Sequence, residues 1–175
     1  MSTFQLDKAH SGVTFQVKHM MVSNAKGEFK NFDILVTGDV QNLESLQVTA
    51  EIDVASINTN NEDRDNHLRS ADFFDIEHYP KITVKSQSIK KVSDSEYELT
   101  ADVTIRGVTK TETFRVQFNG LAKHPMMGKM VAGFEVSGKI NRDDYGLTWN
   151  APLETGGLLV GKEVKLNANL EFFVE

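Results

Sequence analysis

The sequence predicts an all-β protein in which eight antiparallel strands, in up-and-down order, close into a barrel, with one short helix in a long loop near residues 61–71. Three observations support this fold class. Apolar and polar residues alternate with a period of two in many segments, as in strands that have one dry and one wet face. Short turn sequences rich in Gly, Asp, Asn and Ser separate most of these segments. Only two connections are long.

The eight predicted strands differ in regularity. They lie at about 13–19, 25–37, 46–53, 81–90, 97–105, 114–118, 130–140 and 162–174. The last segment alternates without a break. In the second segment the apolar residues change from odd-numbered to even-numbered positions between Phe29 and Phe32. A β-bulge near Lys30 and Asn31, which adds one residue to the strand, would accommodate this change. We therefore expect this strand to be bent.

One segment, 61–71, has helical character. Asn60 or Thr59 is placed to cap it, acidic residues occupy its first turn, and Asp65 and Arg69 stand four residues apart, as in a helical ion pair. Its apolar content is low. We expect a short amphipathic helix that lies against one end of the barrel.

Strands with one apolar face must either stack as a sandwich or close on themselves. The consecutive hairpin-sized connections favour closure, although a sandwich remains the alternative. An eight-stranded barrel can be filled by side chains or can hold one small ligand. The long connections, 54–80 and 141–161, are long enough to cover an opening. Because no repeat, low-complexity tract or linker interrupts the chain, residues 1–175 are predicted to form a single domain.

The composition argues against several classes of function. The chain has 175 residues, of which 39% are hydrophobic and 25% charged, which is typical of one globular domain. Nineteen basic residues against twenty-five acidic ones leave a net charge of −6, so a nucleic-acid partner is not expected. The absence of cysteine from the sequence excludes thiol catalysis, disulfides and cysteine-based metal sites.

The amino-terminal residues do not form a basic stretch followed by an apolar segment, so a secretory signal is not expected. As numbered, the chain would be cytoplasmic; a trimmed precursor would be periplasmic or secreted. Apolar side chains run at most three in succession, far below the roughly 20 residues of a membrane span. We therefore expect no transmembrane segment, with transient membrane contact left open.

Several motifs occur together in a recognisable order. The most specific block is Ser56-Ile57-Asn58-Thr59, then Arg64-Asp65-Asn66-His67-Leu68-Arg69-Ser70-Ala71-Asp72-Phe73-Phe74-Asp75 and Pro80. Before it come Asp7, His10, Ser11, Phe15, Val17, His19, Gly27, Phe29 and Phe32; after it come Gly107, Thr109, Ile140-Asn141-Arg142-Asp143-Asp144-Tyr145-Gly146, Gly161, Val164 and Leu166. Over nearly its whole length the chain resembles the YceI-like family of bacterial polyisoprenoid-binding, lipocalin-like proteins.

The resemblance implies a lipocalin-like barrel whose lumen takes long-chain isoprenoids or similar amphiphiles, without catalysis and without a cofactor. The candidate ligand-binding residues are Phe15, Val17, His19, Phe29, Phe32, Ile34, Ile52, Ile82, Val84, Phe114, Val116, Phe118 and Phe134, with Trp149 and Leu158-Leu159 as elements near the opening. From the residues alone, such apolar faces more often form a packed core, and it is the resemblance that favours a hollow barrel. Periodicity cannot separate the two interpretations.

The charged residues of the long loops have two interpretations. Arg64, Arg69 and Asp72, together with Asp65, are expected to form a charge network that fixes the helix over the barrel, because the guanidinium group pairs well with carboxylates. Arg64 or Arg69 could instead hold the phosphate or carboxylate head of a ligand. The same question arises for Arg142, for which we also favour a structural role.

The sequence contains no recognisable catalytic or metal-binding motif. The five histidines, at 10, 19, 67, 78 and 124, show no HExxH or paired spacing, so no metal site is predicted. GxSxG, P-loop and GxGxxG patterns are missing from the sequence as well. Two alternatives to a lipid carrier remain: an enzyme that modifies an amphiphile through His19 or the Arg/Asp loop, and a filled barrel that serves as a scaffold for a partner. Exposed edges of an imperfectly closed barrel would also allow a homodimer.

Overall fold

The computed structural model describes residues 2–151, 153 and 159–175. Within them lie eleven strands, one α-helix and three short 3-10 turns, at Lys8–His10, Val54–Ser56 and Arg142–Tyr145. The strands and the helix are β1 Ser2–Leu6, β2 Gly12–His19, β3 Ser23–Phe29, β4 Phe32–Asp39, β5 Asn42–Asp53, β6 Ile57–Asn58, α1 Glu62–Arg69, β7 Lys81–Lys91, β8 Glu96–Ile105, β9 Val108–Lys123, β10 Met130–Asn141 and β11 Val160–Val174.

The strands form one antiparallel sheet that closes on itself. Its order is β1-β4-β5-β7-β8-β9-β10-β11, and β1 pairs back onto β11. β2 continues β1 along the rest of β11, and β3 leads into β4 after a short break, so each of these pairs acts as one interrupted strand. When each pair is counted as one strand, and the two-residue β6, which pairs with β3, is left out of the count, the structure confirms the predicted eight-stranded up-and-down barrel with one short helix.

The predicted bend lies between β3 and β4. Phe29 ends one strand and Phe32 begins the next, and both side chains are buried although their parity differs. The intervening backbone is not left unpaired: Lys30 N–H donates to the carbonyl of Ser56, and Asn31 N–H donates to the hydroxyl of Ser56 at 2.9 Å. The extra residues therefore change the strand direction while their polar groups stay satisfied.

The two ends of the barrel differ. One end, called the helix end, carries α1, residues 71–80, residues 142–151 and the β2–β3 turn. Arg106 ties this end together, since its guanidinium donates to the carbonyls of Ala71 and Gly146 at 2.9 and 3.0 Å. The other end, called the far end, carries the β4–β5, β7–β8 and β9–β10 turns. The two long connections thus meet at the same end.

The far end of the barrel is packed with side chains. Its buried cluster comprises Val36, Leu43, Leu46, Tyr97, Ala132, Phe134, Phe172 and Val174. A second cluster surrounds the half of the barrel nearer the helix end and includes Phe29, Val54, Ile57, Phe73, Ile82, Leu99, Phe114, Ile140, Tyr145 and Leu147. Burying one such side chain is worth about 1.5–3 kcal/mol, so both clusters contribute strongly to the stability of the closed sheet.

α1 is held by side chains at its amino-terminal side. Its N-cap is Asn61, whose Oδ1 accepts from Arg64 N–H at 3.0 Å, so the predicted caps at Asn60 and Thr59 were wrong by one or two residues. The buried carboxylate of Asp65 accepts from the backbone N–H and the hydroxyl of Thr59. This helix is too short to be stable through its own hydrogen bonds, so these contacts fix it in place. Among the described helices, none is long and apolar enough to cross a membrane.

Candidate functional site

An apolar cavity of about 230 Å³ lies inside the barrel, between the far-end cluster and the segments that cover the helix end. Strands from all around the barrel contribute to its wall, because their inward-facing side chains converge on the axis. All of the wall residues are apolar except Arg142 and Asn167. A site of this kind offers a large apolar surface and very few polar contacts.

Nine of the fourteen predicted ligand-binding residues line this cavity. They are Phe15, Val17, Phe29, Phe32, Ile34, Ile52, Ile82, Val84 and Phe114. They come from β2, β3, β4, β5 and β7, which follow one another around the barrel, and from β9, which β8 separates from β7. The strand periodicity therefore identified residues that face the interior once the sheet closes.

The other five predicted residues lie outside the wall of this cavity. Phe118 and Phe134 pack on each other in the far-end cluster, with ring centroids 5.1 Å apart. Val116 packs against both clusters. His19 ends β2, where it pairs with Val160. Alternation shows that a side chain points inward, but it does not show at which height along the barrel axis the interior is filled.

Trp149 is the fifth of these residues, and it packs outside the cavity at the helix end. Its ring lies 4.6 Å from the ring of His67 and 5.5 Å from that of Phe73, centroid to centroid. It covers the segment after α1 rather than the lumen. Leu158, also expected near the opening, lies outside the described residues, whereas the carbonyl of Leu159 accepts from Met20 N–H at 2.7 Å.

Several wall residues were missed by the sequence reasoning. Leu68, Phe73 and Phe74 reach the cavity from α1 and the turn after it, Leu147 reaches it from the second long connection, and Val160 reaches it from the first position of β11. Further wall residues come from β8 and are Leu99, Val103 and Ile105. The alternation of β8 was visible in the sequence and could have placed these three. The loop residues carry no such signal, because their position depends on how the connections fold over the barrel.

Arg142 is the charged residue of the wall, and its side chain is 4% exposed. Its guanidinium donates to four backbone carbonyls: Gly161 at 2.8 Å, Trp149 at 3.0 Å, Val160 at 3.2 Å, and Leu147. Burial lowers the pKa of this guanidinium from its ordinary value. These bonds tie the second long connection to the start of β11.

No described carboxylate lies within ion-pair distance of Arg142. The guanidinium therefore brings a positive charge to a wall that is otherwise apolar apart from Asn167, and its carbonyl partners and the nearby carboxylate of Asp143 partly offset this charge. It also lies 5.9 Å from the ring centroid of Phe73, a favourable cation–π distance. An electron-rich group that entered the cavity at this end would find attraction at this point.

Tyr145 anchors the second long connection, to which Arg142 also belongs. Its side chain is fully buried, and its hydroxyl donates to Oε1 of Glu112 at 2.9 Å. Burial, together with the bond to this carboxylate, raises the pKa of Tyr145 above its ordinary value of 10.0. The phenol therefore stays neutral at physiological pH, and its hydrogen bond anchors the segment to β9.

The other charged candidates, Arg64, Arg69 and Asp72, do not line the cavity. Arg64 donates to the hydroxyl and carbonyl of Thr59 at 2.8 and 2.6 Å. Arg69 donates to the carbonyls of Ala55 and Ile57 at 3.1 and 3.0 Å. The two arginines thus tie α1 to the backbone before it.

The expected Arg–carboxylate network was wrong in its partners. Asp72 bonds to His67 at 3.0 Å, and the expected Asp65–Arg69 pair does not occur among the described ion pairs. The two arginines bond to backbone carbonyls instead, because the segment between β5 and α1 places these carbonyls within hydrogen-bonding distance. The two arginines and Asp72 therefore hold α1 and the turn after it through contacts other than the expected ones.

One described group of three side chains has the proximity needed for a metal ion: Asp7, His10 and Glu171, whose nearest ligand atoms lie within 4.8 Å of one another. Nδ1 of His10 lies 2.8 Å from Asp7 and 3.5 Å from Glu171. Asp7 also accepts from Ala9 N–H and so caps the 3-10 turn between β1 and β2. The cluster lies on the outer surface, and its contacts are those of a turn that is fastened to β11.

The fold and the cavity together define a class of protein. A closed antiparallel barrel of eight strands, with an apolar interior cavity and one end covered by long connections, has the architecture of a lipocalin-like barrel. The chain belongs to the YceI-like family, whose domain matches residues 4–172.

Related proteins agree with this assignment. A UPF0312 protein of Staphylococcus epidermidis is 49% identical over 175 residues, which cover 100% of this chain and 99% of that protein. Burkholderia cenocepacia BcnA has the same fold, with a TM-score of 0.83 and 24% identity over 95% of this chain and 99% of that one. A polyisoprenoid-binding domain of Saccharophagus degradans, implicated in plant cell wall breakdown, matches with a TM-score of 0.69 and 15% identity over the full length of both chains.

Proposed function

We propose that this protein binds a long-chain isoprenoid lipid or a related amphiphile in the barrel cavity and stores or transports it without chemical change. The observation that carries the proposal is the wall of the cavity, which is apolar except for Arg142 and Asn167. A wall of this kind discriminates against polar metabolites, because they would lose their hydration without gaining hydrogen bonds. It favours hydrocarbon, at roughly 0.8 kcal/mol for each buried CH₂ group.

Two further facts support an isoprenoid as the ligand. The chain belongs to the YceI-like family, and one protein of the same fold is described as a polyisoprenoid-binding domain. The barrel is also long enough for an elongated ligand, since strands of about ten residues, tilted by about 40°, give a barrel on the order of 25 Å tall, of which the far-end cluster fills one part. A tail that lies along the barrel axis would contact every strand.

The volume sets a condition on this binding. A cavity of about 230 Å³ exceeds the roughly 150 Å³ that suffice for benzene, but it falls below the roughly 300–1,000 Å³ of sites for larger ligands. A long tail must therefore displace side chains. Phe118 and Phe134 separate the cavity from the far end, so we expect their rings to move when the tail extends along the axis.

The proposed binding is reversible because the tail has an alternative apolar environment. A lipid that leaves a membrane exchanges one hydrocarbon surrounding for another, so the net free energy of transfer into the barrel is small even when many CH₂ groups are buried. This property suits a carrier that loads and unloads.

The absence of chemical change is also part of the proposal. General acid–base catalysis needs a titratable group in reach of the substrate. Arg142 is the one ionisable side chain among the described wall residues, and a guanidinium remains protonated at neutral pH. An enzyme that acts on the lipid would need groups outside this wall.

The test combines extraction of the purified protein with a paired substitution. Organic extraction followed by mass spectrometry should yield a stoichiometric, unmodified amphiphile. Val17→Glu places a carboxyl group on the wall and should abolish binding, whereas Thr14→Glu, on the exposed face of the same strand, should leave it unchanged. A folded Val17→Glu protein that retains its full complement of lipid would refute the proposal. A ligand recovered in chemically altered form would favour the enzyme.

A further inference from the structure

The guanidinium group of Arg142 has more hydrogen-bond donors than the described residues use. A guanidinium carries five N–H groups. Nε–H donates to the carbonyl of Gly161, and Nη1 donates to the carbonyls of Leu147 and Trp149. Nη2 donates to the carbonyl of Val160 at 3.2 Å. These four bonds leave one N–H group of Nη2 without an acceptor among the described residues.

This spare N–H group belongs to a side chain that is shielded from water. Arg142 is only 4% exposed, and it forms part of the wall of the apolar cavity. A buried donor that has no acceptor is costly, and native structures leave few of them. The spare N–H group is therefore suited to an acceptor that a ligand brings into the cavity.

The position of Nη2 defines where such an acceptor would lie. Val160, whose carbonyl accepts from Nη2, belongs to the cavity wall and pairs with His19 next to the β2–β3 turn. Phe73 also belongs to the wall, and its ring centroid is 5.9 Å from the guanidinium carbon. An acceptor at Nη2 would hold the polar end of an amphiphile at the helix end. Its tail would then extend toward the far-end cluster.

Asn167 is the other polar residue of the described wall, but its side chain faces outward. It stands on β11 between Leu166 and Ala168, which also belong to the wall, and it is exposed whereas they are half-buried. Successive side chains of a strand point to opposite sides of the sheet. Among the described wall residues, Arg142 is therefore the one that offers a side-chain donor to a head group inside the barrel.

The number of spare donors limits the kind of head group. The carbonyl oxygen of a ketone or an ester is satisfied by one hydrogen bond. A carboxylate or a phosphate has further oxygens that would remain unpaired in an apolar wall, which is costly for a buried anion. The other N–H groups of Arg142 are bonded to backbone carbonyls, so paired bonds to an anion are not available. The nearby carboxylate of Asp143 also opposes a second negative charge.

We propose that Arg142 is the specificity-determining residue of the cavity and that it selects an amphiphile whose polar end is a neutral carbonyl group, as in a ketone or an ester. The spare N–H group of Nη2 donates to this carbonyl oxygen, and amphiphiles that end in a carboxylate or a phosphate are disfavoured. The inference rests on the proposed function, because it requires that an amphiphile enter the cavity.

The experiment uses the full chain and four probes of equal carbon number: methyl octyl ketone, decane, decanoate and decyl phosphate. The ketone and the alkane compete for the protein from the same mixed detergent micelles, and gas chromatography of the organic extract gives their ratio in the protein. The ketone-to-alkane ratio should be at least about tenfold higher in the unchanged protein than in Arg142→Lys, as expected for a hydrogen bond from a charged donor.

Arg142→Lys keeps the positive charge and removes the spare donor. An ammonium group has three N–H groups, fewer than the four carbonyls around it, so none remains for a ligand. Arg106→Lys is the matched control, because Arg106 donates to the carbonyls of Ala71 and Gly146 at the same end but does not line the cavity. It should leave the ketone-to-alkane ratio unchanged. A purely structural role of Arg142 would lower the loading of both probes without changing their ratio.

Infrared spectroscopy of the ketone, labelled with carbon-13 at the carbonyl, tests the contact directly, even if Arg142→Lys does not fold. A hydrogen bond lowers the carbonyl stretching frequency, so the ketone bound to the unchanged protein should absorb at a lower frequency than the ketone dissolved in decane. An unshifted frequency, or the same shift in a folded Arg142→Lys protein, would overturn the proposal. Stronger loading of decanoate or decyl phosphate than of the ketone at neutral pH would also overturn it.

The same loading experiment separates this proposal from the proposed function. Stoichiometric loading of both the ketone and the alkane, in a ratio that Arg142→Lys does not change, would refute the role of Arg142 and support the binding cavity. If the unchanged protein takes up neither probe, the cavity does not bind amphiphiles, and the proposed function fails together with this inference.

Discussion

The ring of Phe114 on β9 lies directly over Gly138 on β10: a Cβ atom at position 138 would stand 2.5 Å from Cδ1 of Phe114. The ring of Phe15 covers Gly27 in the same way on the β2–β3 pair. Both rings line the cavity. Because glycine has no side chain, each ring can approach the neighbouring strand this closely. A side chain at either glycine would have to displace the ring that borders the cavity.

The first prediction follows from the Phe114–Gly138 pair. Gly138→Ala should push the ring into the cavity, reduce lipid occupancy and destabilise the fold by about 1–3 kcal/mol, the usual cost of overpacking. Mass spectrometry of extracted lipid and urea denaturation would measure both effects. Gly133→Ala is the control, since its nearest neighbour would lie at an ordinary 3.6 Å. Phe114→Leu in the Gly138→Ala background should restore occupancy; if it does not, the ring is not the cause.

The second prediction concerns Arg142. Arg142→Ala would leave four carbonyls without their donor in a buried place, at a cost of about 3 kcal/mol or more. Arg142→Lys should recover only part of this stability, because one ammonium group cannot reach partners spread around a planar guanidinium. Urea denaturation measures the difference. Full recovery by lysine would mean that charge alone matters at this position.

The third prediction concerns the attachment of α1. Arg69→Ala removes the bonds to the carbonyls of Ala55 and Ile57. It should lower the free energy of unfolding by about 1–2 kcal/mol, compared with less than about 0.5 kcal/mol for a surface change such as Lys110→Ala. Thermal melting of the two variants side by side provides the measurement. Identical melting temperatures would show that α1 is held by its other contacts.

The fourth prediction concerns how far the cavity can extend toward the far end. Phe134 packs on Phe118 at 5.1 Å and on Phe172 at 6.0 Å, centroid to centroid, and so closes the lumen toward the far end. Phe134→Leu should lower this barrier and shift the extracted lipids toward longer tails. Chromatography coupled to mass spectrometry gives the distribution of tail lengths. An unchanged distribution would indicate that the tail does not reach this depth.

The fifth prediction is a pH dependence at Asp7 and His10. Their hydrogen bond raises the pKa of His10 above 6.5 and lowers the pKa of Asp7 below 3.8. The contribution of His10 to stability is therefore fully present below pH 6.5 and is lost as the pH rises through its folded pKa. The contribution of Asp7 is present above pH 3.8 and is lost as the pH falls through its own folded value.

An NMR titration of the His10 ring protons would measure the shift directly. Asp7→Asn should return the pKa of His10 toward its ordinary value, leaving only the smaller influence of Glu171. An equal pKa in the two proteins would show that Asp7 is not the cause. Because His10 is exposed to solvent, the effect on overall stability should be small.

The sequence determined the local structure of this protein and the inward face of each strand. Val13, Phe15 and Val17 alternate with polar neighbours because a strand points successive side chains to opposite sides, and this holds wherever the strand lies. The parity change between Phe29 and Phe32 indicated the bend for the same reason. Nine wall residues could be named in advance on this basis.

Only the tertiary structure decided where the interior is hollow. Phe114 and Phe134 have the same pattern in sequence, yet one ring borders the cavity and the other fills the far end. The difference depends on what packs beside each ring: Gly138 on the neighbouring strand leaves room beside Phe114, whereas Phe118 and Phe172 pack on Phe134. It was also the closed sheet that placed Arg142 among four carbonyls and brought Leu68 and Leu147 over the cavity. Such contacts join residues distant along the chain, and periodicity, being a local property, does not contain them.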